Sequence, residues 1–420
     1  MKKHPYYSPS QCLPFRYALR AFLGLALVFT LLGLSPQSAR GDESLSLAQP
    51  VKVMQQNLYL GADIFMVLQA DPEDPYGVPK AVFEIYTDVV KTRFPDRAQA
   101  LADEIEANMP DLIGLQEVSL FRTESPGDFL VDHQADATVV AYDFLDLILN
   151  ALSARGLHYR VASVVQNADV ELPMLVTTDS NGNPIPPRLD DARLTDRDVI
   201  LVRSNVITSD AVARNYQTNL SFDFPLGQST IPIVFKRGYT AVKAKVRGTA
   251  YRFVSTHLEV EGGDISPQVP YIQAYQAYEL TSVLKNETLP VIVVGDINSS
   301  PEDTAPLPLP QYPYFILPPY VQISLAGYAD IWPRRILGRN NPGFTCCQEA
   351  DLLNEQSILD ERIDFVFVRN NLGHAPLSFV GLVFAWTIGD TPEDKTMTLP
   401  PLWPSDHAGV IGQLRILLIK

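Results

Sequence analysis

The chain has 420 residues, 46% hydrophobic and 19% charged, which is enough to bury a core and too apolar for a disordered chain. Its 34 prolines and 23 glycines imply turns and long loops in place of helical bundles or coiled coils, and no repeat indicates a solenoid or propeller. Net charge is −15, and because Lys2, Lys3, Arg16, Arg20 and Arg40 are the only charged residues in 1–41, the remainder stands near −20 and lacks the footprint of a general nucleic-acid binder, a local basic groove aside.

Residues 1–20 are basic, Ala21–Leu34 form a 14-residue apolar run, and Ala39 and Gly41 sit where a cleavage site wants small residues. That order is the order of a secretory signal peptide, with an uncleaved N-terminal membrane anchor as the alternative, since the run is shorter than the roughly 20 residues of a spanning helix. Either reading places the body, residues 50–418, outside the cytoplasm, secreted or in the cell envelope.

Beyond it, Val51–Gln56 reads as a strand ending at Asn57. A helix is predicted over Pro95–Asn108, with Ala98, Leu101 and Ile105 on one face, and Asp111–Val118 reads as a buried strand. A second helix is predicted over 135–155, then strands at Tyr159–Val165 and Asp198–Val202, with Thr178–Arg188 as an added loop. Tyr239–Lys245 and Tyr251–Thr256 alternate about Arg247-Gly248-Thr249 as a hairpin. Ala274, Ala277, Leu280 and Leu284 mark another helix, and Pro290–Gly295 is a fully buried strand by its β-branched run. Pro301–Tyr320 reads as a proline- and aromatic-rich loop, and further strands fit Ile363–Val368, Phe379–Phe384 and His407–Leu414. Mixed strands with helices outside indicate one large layered α/β domain.

Three cysteines make no disulfide framework. Cys12 precedes the apolar run, and Cys346 and Cys347 read as a buried or vicinally oxidised structural pair, with metal binding as the lesser alternative.

Ligand-type residues gather at the ends of the buried strands: Asn57, Glu117, His257, Asp296 with Asn298, and Asp406 with His407. Carboxylate and amide oxygens suit Mg²⁺, with Mn²⁺ or Ca²⁺ as alternatives, and histidines move protons near neutral pH. Together they spell metal-assisted hydrolysis of a phosphoester. Singly each has a plain structural reading, as a strand-end acid, a core histidine, a turn or a helix cap; their joint occurrence in one order is what carries the inference.

The pieces MQQNLYLGAD, DLIGLQEV, RDVILVRS, FVSTHLE, VIVVGDINSSP, ERIDFVFV and PSDHAGVIGQL, spanning about residues 51–415, resemble the endonuclease/exonuclease/phosphatase superfamily. The resemblance implies a four-layer α/β sandwich, with two mixed β-sheets face to face and helices outside. It implies Glu117 as principal metal ligand with Asn57 beside it and Asp406 as a further ligand. It implies Asp296 and Asn298 holding the attacking water and phosphate oxygens, and His407 as general base or phosphorane stabiliser. His257 would help protonate the leaving oxygen, and Asp364 would orient His407. Asp198 stands either near this site or as a strand-start turn residue. His133, His158 and His374 match no motif, and the GFTCCQEADLLN loop has no derived role.

For the substrate, a phospholipid headgroup is favoured over DNA or RNA, and a catalytically decayed binding module is the non-enzyme alternative. The favoured reading takes Tyr312, Tyr314, Phe315, Ile316, Leu317 and Tyr320, with Phe384, Trp386 and Trp403, as a lipid-facing set, so that 311–320 makes a peripheral membrane contact; burial of the loop on the domain is the competing reading. THLE also stands closer to the sphingomyelinase form of that motif than to nuclease forms. A nuclease would use Arg193, Arg197, Arg203, Lys236 and Arg237 as a basic rim. No protein partner is implied.

Overall fold

The computed structural model describes residues 45–371 and 381–419, apart from 72, 180–181, 227–228, 264, 310–313 and 339. The leader, Cys12, Tyr312, His374 and the start of the Phe379–Phe384 strand lie outside the described residues.

Two sheets carry the fold. The strands used below are β1 (Val51–Asn57), β2 (Leu112–Gln116), β3 (Tyr159–Thr178), β4 (Pro184–Arg203), β5 (Gly238–Val246), β6 (Thr249–His257), β7 (Val291–Asp296), β8 (Asp364–Arg369) and β9 (Gly409–Ile419). The first sheet runs Leu45–Leu47, β9, β1, β2, β4, Leu120–Glu124, Val139–Asp143, with Gly381–Ile388 also on β9 and β3 also on β4. The second runs Ala329–Asp330, β8, β7, β6, β5, Ile207–Asn215. Each sheet has one parallel pair, β1 with β2 and β6 with β7, among antiparallel neighbours. The strands β1, β2, β6 and β7 therefore all end at one edge of the sandwich, where Asn57 pairs with Gln116 and His257 with Asp296.

Period-two alternation explains the layers. Val51, Val53, Ile200 and Val202 of the first sheet meet Val242, Phe253, Ile292 and Val366 of the second in one dry core. Met54, Ile113, Val199 and Ile411 point the other way, under the helices α1 (Gly77–Lys91), α2 (Phe94–Asn108) and α3 (Phe144–Ala154). Val254, Val293 and Phe365 pack outward against α4 (Val269–Val283) through Ala277 and Leu280. This is the four-layer sandwich the resemblance implies. Gly114 sets the sheet spacing near the functional edge: a Cβ there would lie 2.3 Å from Val294 Cγ2 and 2.9 Å from Ser255 Oγ.

Several predicted elements need correction. The helix over 135–155 is confined to α3, because Val139–Asp143 pairs as a strand and the Asp143 side chain caps the helix, Oδ1 accepting from Leu145 N at 3.0 Å. Thr178–Arg188 is no added loop: β3 and β4 are each 20 residues long and pair almost to the turn. The Pro301–Tyr320 stretch is a loop with a two-residue pairing of Leu307–Pro308 with Phe315–Ile316. The hairpin stands as predicted, turning at Arg247 and Gly248, both at positive φ. The helix α1 and the hairpin Leu220–Leu226 with Ser229–Phe235 were not predicted.

Glu104 on α2 is buried, and neither carboxylate oxygen has a hydrogen-bond partner. Burial first, then Asp394, Asp390 and Asp103, push its pKa well up. An acid whose folded pKa is raised binds more protons folded than unfolded, so its cost appears as pH rises above the unfolded value. Glu104→Gln is therefore expected to stabilise the fold by about 1–2 kcal/mol at pH 8 and by less at pH 5. Thermal melts at the two pH values check this, and equal shifts at both would refute it.

Candidate active site

The eight residues picked from the sequence come together at the shared edge. Asn57 Nδ2 donates to Glu117 Oε1 at 3.0 Å and to Asp296 Oδ2 at 3.1 Å, bridging the two sheets. His257 Nε2 and His407 Nε2 stand 3.6 and 3.9 Å from the same Asp296 oxygen. His407 Nδ1 lies 2.8 Å from Asp364 Oδ2, and Asp406 Oδ1 is 3.8 Å from His407 Nε2. Asn298 donates its backbone N–H to Asp296 Oδ1 at 2.9 Å, and its amide lies 3.2 Å from His257 Nε2.

Local backbone holds these tips in place. Tyr59, Glu117 and Asn298 all have positive φ, the left-handed region that non-glycine residues avoid unless the surroundings enforce it. Leu60 N–H donates to Glu117 Oε2 at 2.7 Å and Tyr59 N–H to Asn57 Oδ1 at 2.9 Å, so the 57–60 loop is laced to both acceptors. Beneath the edge, Gln55 Nε2 donates to Gln116 Oε1 and Asp364 Oδ1, and Gln116 Nε2 to Ser255 Oγ. These amides replace apolar contacts between the sheets where a buried carboxylate needs donors.

The sequence reading missed four positioning groups. Arg97 is fully buried and donates to the carbonyls of Leu58, Tyr59, Thr92 and Pro404, tying the Asn57 loop to the segment bearing His407. Its only sequence signal was a basic residue on the buried face of a helix. Arg237 Nη1 lies 3.0 Å from His257 Nδ1, and its other nitrogen is 3.4 Å from buried Glu259 Oε1. Asp196 lies 3.8 Å from Arg237. The GFTCCQEADLLN stretch also gains a role: Ala408 N–H donates to Thr345 O, Gln348 N–H to Asp406 O, and Thr345 Oγ1 accepts from Asp364 N–H. Cys346 and Cys347 are disulfide-bonded to each other within it, as the pair reading expects.

Asp198 is buried in β4 and is no turn residue. Neither of its oxygens accepts a hydrogen bond, and one ligand atom each from Asp196, Asp198 and His257 lies within 4.8 Å of the others.

Electrostatics divide the histidines. Burial, then Arg237 and His407, hold His257 well below its usual pKa and so neutral. With Arg237 donating to Nδ1, the ring proton sits on Nε2, facing Asp296. Burial opposes a charge on His407 too, but Asp364 and Asp406 overcome it and hold its pKa well up. Burial pushes Asp296 up to about 7, reinforced by Asp364, and pushes Asp406 up to about 7, reinforced by Glu117. The carboxyls of Glu117, Asp196, Asp198, Asp296, Asp364 and Asp406 thus outnumber Arg97, Arg237 and charged His407, and it is their burial together that pushes Asp196, Asp198, Asp296 and Asp406 up. One ligand atom each from Asp296, Asp364 and His407 lies within 4.8 Å of the others, a set that would suit a divalent cation, and the family resemblance would add Glu117, Asp406 and, once its oxygen turned from the Tyr59 N–H, Asn57 as holders. The cation would neutralise phosphate charge.

The chain's own groups supply the rest. Asp296, poised near neutrality, can take a proton from a water. Charged His407 can stabilise negative charge on phosphate oxygens, and the His257 Nε2–H can donate to a leaving oxygen.

The endonuclease/exonuclease/phosphatase family matches residues 89–407. No curated protein matches the sequence. Among solved structures, an endonuclease/exonuclease/phosphatase family protein from Bacteroides thetaiotaomicron is 14% identical with TM-score 0.45, covering 88% of this chain and 98% of its own. Truncated TDP2 of Caenorhabditis elegans is 13% identical with TM-score 0.43, covering 87% and 97%, and a mannosyl-6-phosphatase of Bacteroides thetaiotaomicron is 14% identical with TM-score 0.43, covering 87% and 99%. The family match spans most of the chain and takes in Glu117, His257, Asp296, Asn298, Asp364, Asp406 and His407: the chain belongs to the endonuclease/exonuclease/phosphatase family.

Proposed function

We propose that the protein is an exported, Mg²⁺-dependent phosphodiesterase that hydrolyses a phospholipid-type substrate at its headgroup. The observation that carries this choice is the state of the arginines a nuclease would need. Arg193 is paired with Asp169 at 2.7 Å, Arg197 with Asp143 at 2.6 Å, Arg203 with Asp111 at 3.7 Å and Arg237 with Glu259 at 3.4 Å. Of the predicted basic rim, only Lys236 is exposed and without a carboxylate partner among the described residues. A strand of phosphates would meet an acidic edge with its cations already neutralised.

Two aromatics support a lipid surface. Tyr314 and Phe315 are 67% and 61% exposed, adjacent, on the segment that follows the Asn298 tip. Two members of the lipid-facing set are revised: Trp403 is fully buried, and Tyr320 packs on Phe365 and Phe367. Export is supported by the basic and apolar order of residues 1–34.

In the reaction proposed, a water oxygen attacks phosphorus, its proton passes to Asp296, and the P–O bond to the lipid alcohol or headgroup breaks with a proton donated from His257. The test incubates the protein with sphingomyelin or phosphatidylcholine liposomes and, in parallel, with plasmid DNA, in MgCl₂ and in EDTA. Headgroup release that EDTA abolishes is the expected result. Nicked plasmid with intact liposomes would move the protein to the nucleases.

A further inference from the structure

An apolar pocket of about 80 Å³ lies between α1 and the long β3–β4 hairpin. Its walls include Ile64, Val82, Phe121, Ala192, Leu194 and Phe235, and the one charged group on them, Arg193, is neutralised by Asp169. The elements that carry the catalytic edge run directly into it. Leu194 lies two residues from Asp196 and four from Asp198 on β4, about 7 and 13 Å along an extended strand. Phe121 pairs with Leu194 and follows Glu117 by four residues. Phe235 precedes Arg237, the partner of His257, by two. The loop leaving Asn57 passes Leu60, whose N–H holds Glu117, and reaches Ile64 on the wall.

We infer that this pocket receives an alkyl chain of the phosphoester substrate, held while the phosphate sits at the Glu117–Asp296–His407 edge; the inference rests on the lipid reading above. The occupant follows from chemistry and size. Apart from the Tyr86 hydroxyl and the paired Arg193, the walls are hydrocarbon, too few polar groups to read the edges of a sugar or base, and interior surfaces of this kind take apolar guests. The volume accommodates a short run of methylenes and is too small for an aromatic peptide segment or a helix. The nearness of the two sites along every connecting strand ties the guest to the phosphate it is esterified to. The competing account is a packing defect under α1, and the two accounts part on what happens when the space is filled.

Calorimetry in MgCl₂ would compare methyl, butyl and octyl phosphate as ligands of the wild type, Ala192→Leu and Ala168→Leu. Each methylene buried should tighten binding about three- to fourfold, so butyl phosphate, too short to span the strand between edge and pocket, is expected to bind little better than methyl phosphate, and octyl phosphate tens of times more tightly. Both leucine variants should bind methyl phosphate as the wild type does and lose most of the chain-length gain, with melting temperature unchanged or raised. Equal affinity for all three phosphates in the wild type would overturn the pocket, as would leucine variants that keep the full gain. Loss of methyl phosphate binding in the variants would also count against it, since filling would then have disturbed the edge itself. A persistent chain-length gain in a protein that releases no lipid headgroup would leave the pocket standing and remove the lipid reading.

Discussion

Replacing His407 by alanine is expected to lower kcat by about 10²–10⁴-fold while leaving the circular dichroism spectrum unchanged. The imidazole is buried at the edge with Nδ1 fixed by Asp364 and Nε2 facing Asp296, so no neighbour can take its place. Asp364→Asn is expected to cost most of the same factor. The amide keeps the packing but removes the negative charge that holds His407 protonated and its ring turned, and a mismatched partner at this position selects the wrong ring state. Because the two residues act as one unit, the double variant should be no slower than His407→Ala alone. Steady-state kinetics on the three variants decide the matter. An Asp364→Asn loss below tenfold beside a large His407→Ala loss would show that the contact is structural and that His407 is held by something else.

That pair also marks what was legible in the chain. Strands that end in polar residues could be read because both signals are local: an unbroken run such as VIVVG has no use outside a buried strand, and Asp296 directly after it has no reason to be buried unless the edge needs it. The same holds for LIGLQ before Glu117 and IDF at Asp364. Failures came where pairing, not local preference, decides. Pro173, Pro184 and Pro187 argue against strands, yet β3 and β4 run 20 residues through them because each strand supplies the other with a partner and a face for α1. Val139–Asp143 was absorbed into a helix since Asp143 looks like any polar residue until it caps α3. Arg97 and Arg237 were invisible as site residues for a similar reason. Their role is to satisfy carbonyls and a histidine from distant segments, and no spacing in the sequence encodes that. The arginines assigned to a basic rim were likewise read as free charges when each had an acid across the sheet or at a neighbouring loop.

Glu117→Gln is expected to separate affinity from stability in opposite directions. Glu117 sits among Asp406, Asp196 and Asp198 and raises the pKa of each, so in the metal-free protein it is a source of repulsion. An amide of the same shape carries no charge and keeps one acceptor oxygen, so it holds either the Asn57 Nδ2 or the Leu60 N–H and gives up the other bond in exchange for the removed repulsion. The metal-free variant should therefore melt higher than the metal-free wild type. Its affinity for Mg²⁺ or Mn²⁺ should fall, and with it kcat/KM, by about 10²–10⁴-fold, since a divalent cation at a phosphoryl centre contributes several kcal/mol and each 1.36 kcal/mol is tenfold. Titration calorimetry with MnCl₂ and a melt in EDTA make the two readings on one protein. A purely structural Glu117 predicts the opposite pattern: a lower melting temperature on losing a carboxylate that accepts the Leu60 N–H at 2.7 Å, with metal binding unchanged. Opposed shifts require that the residue be kept at a cost to the fold, and such a cost is retained where a cation repays it.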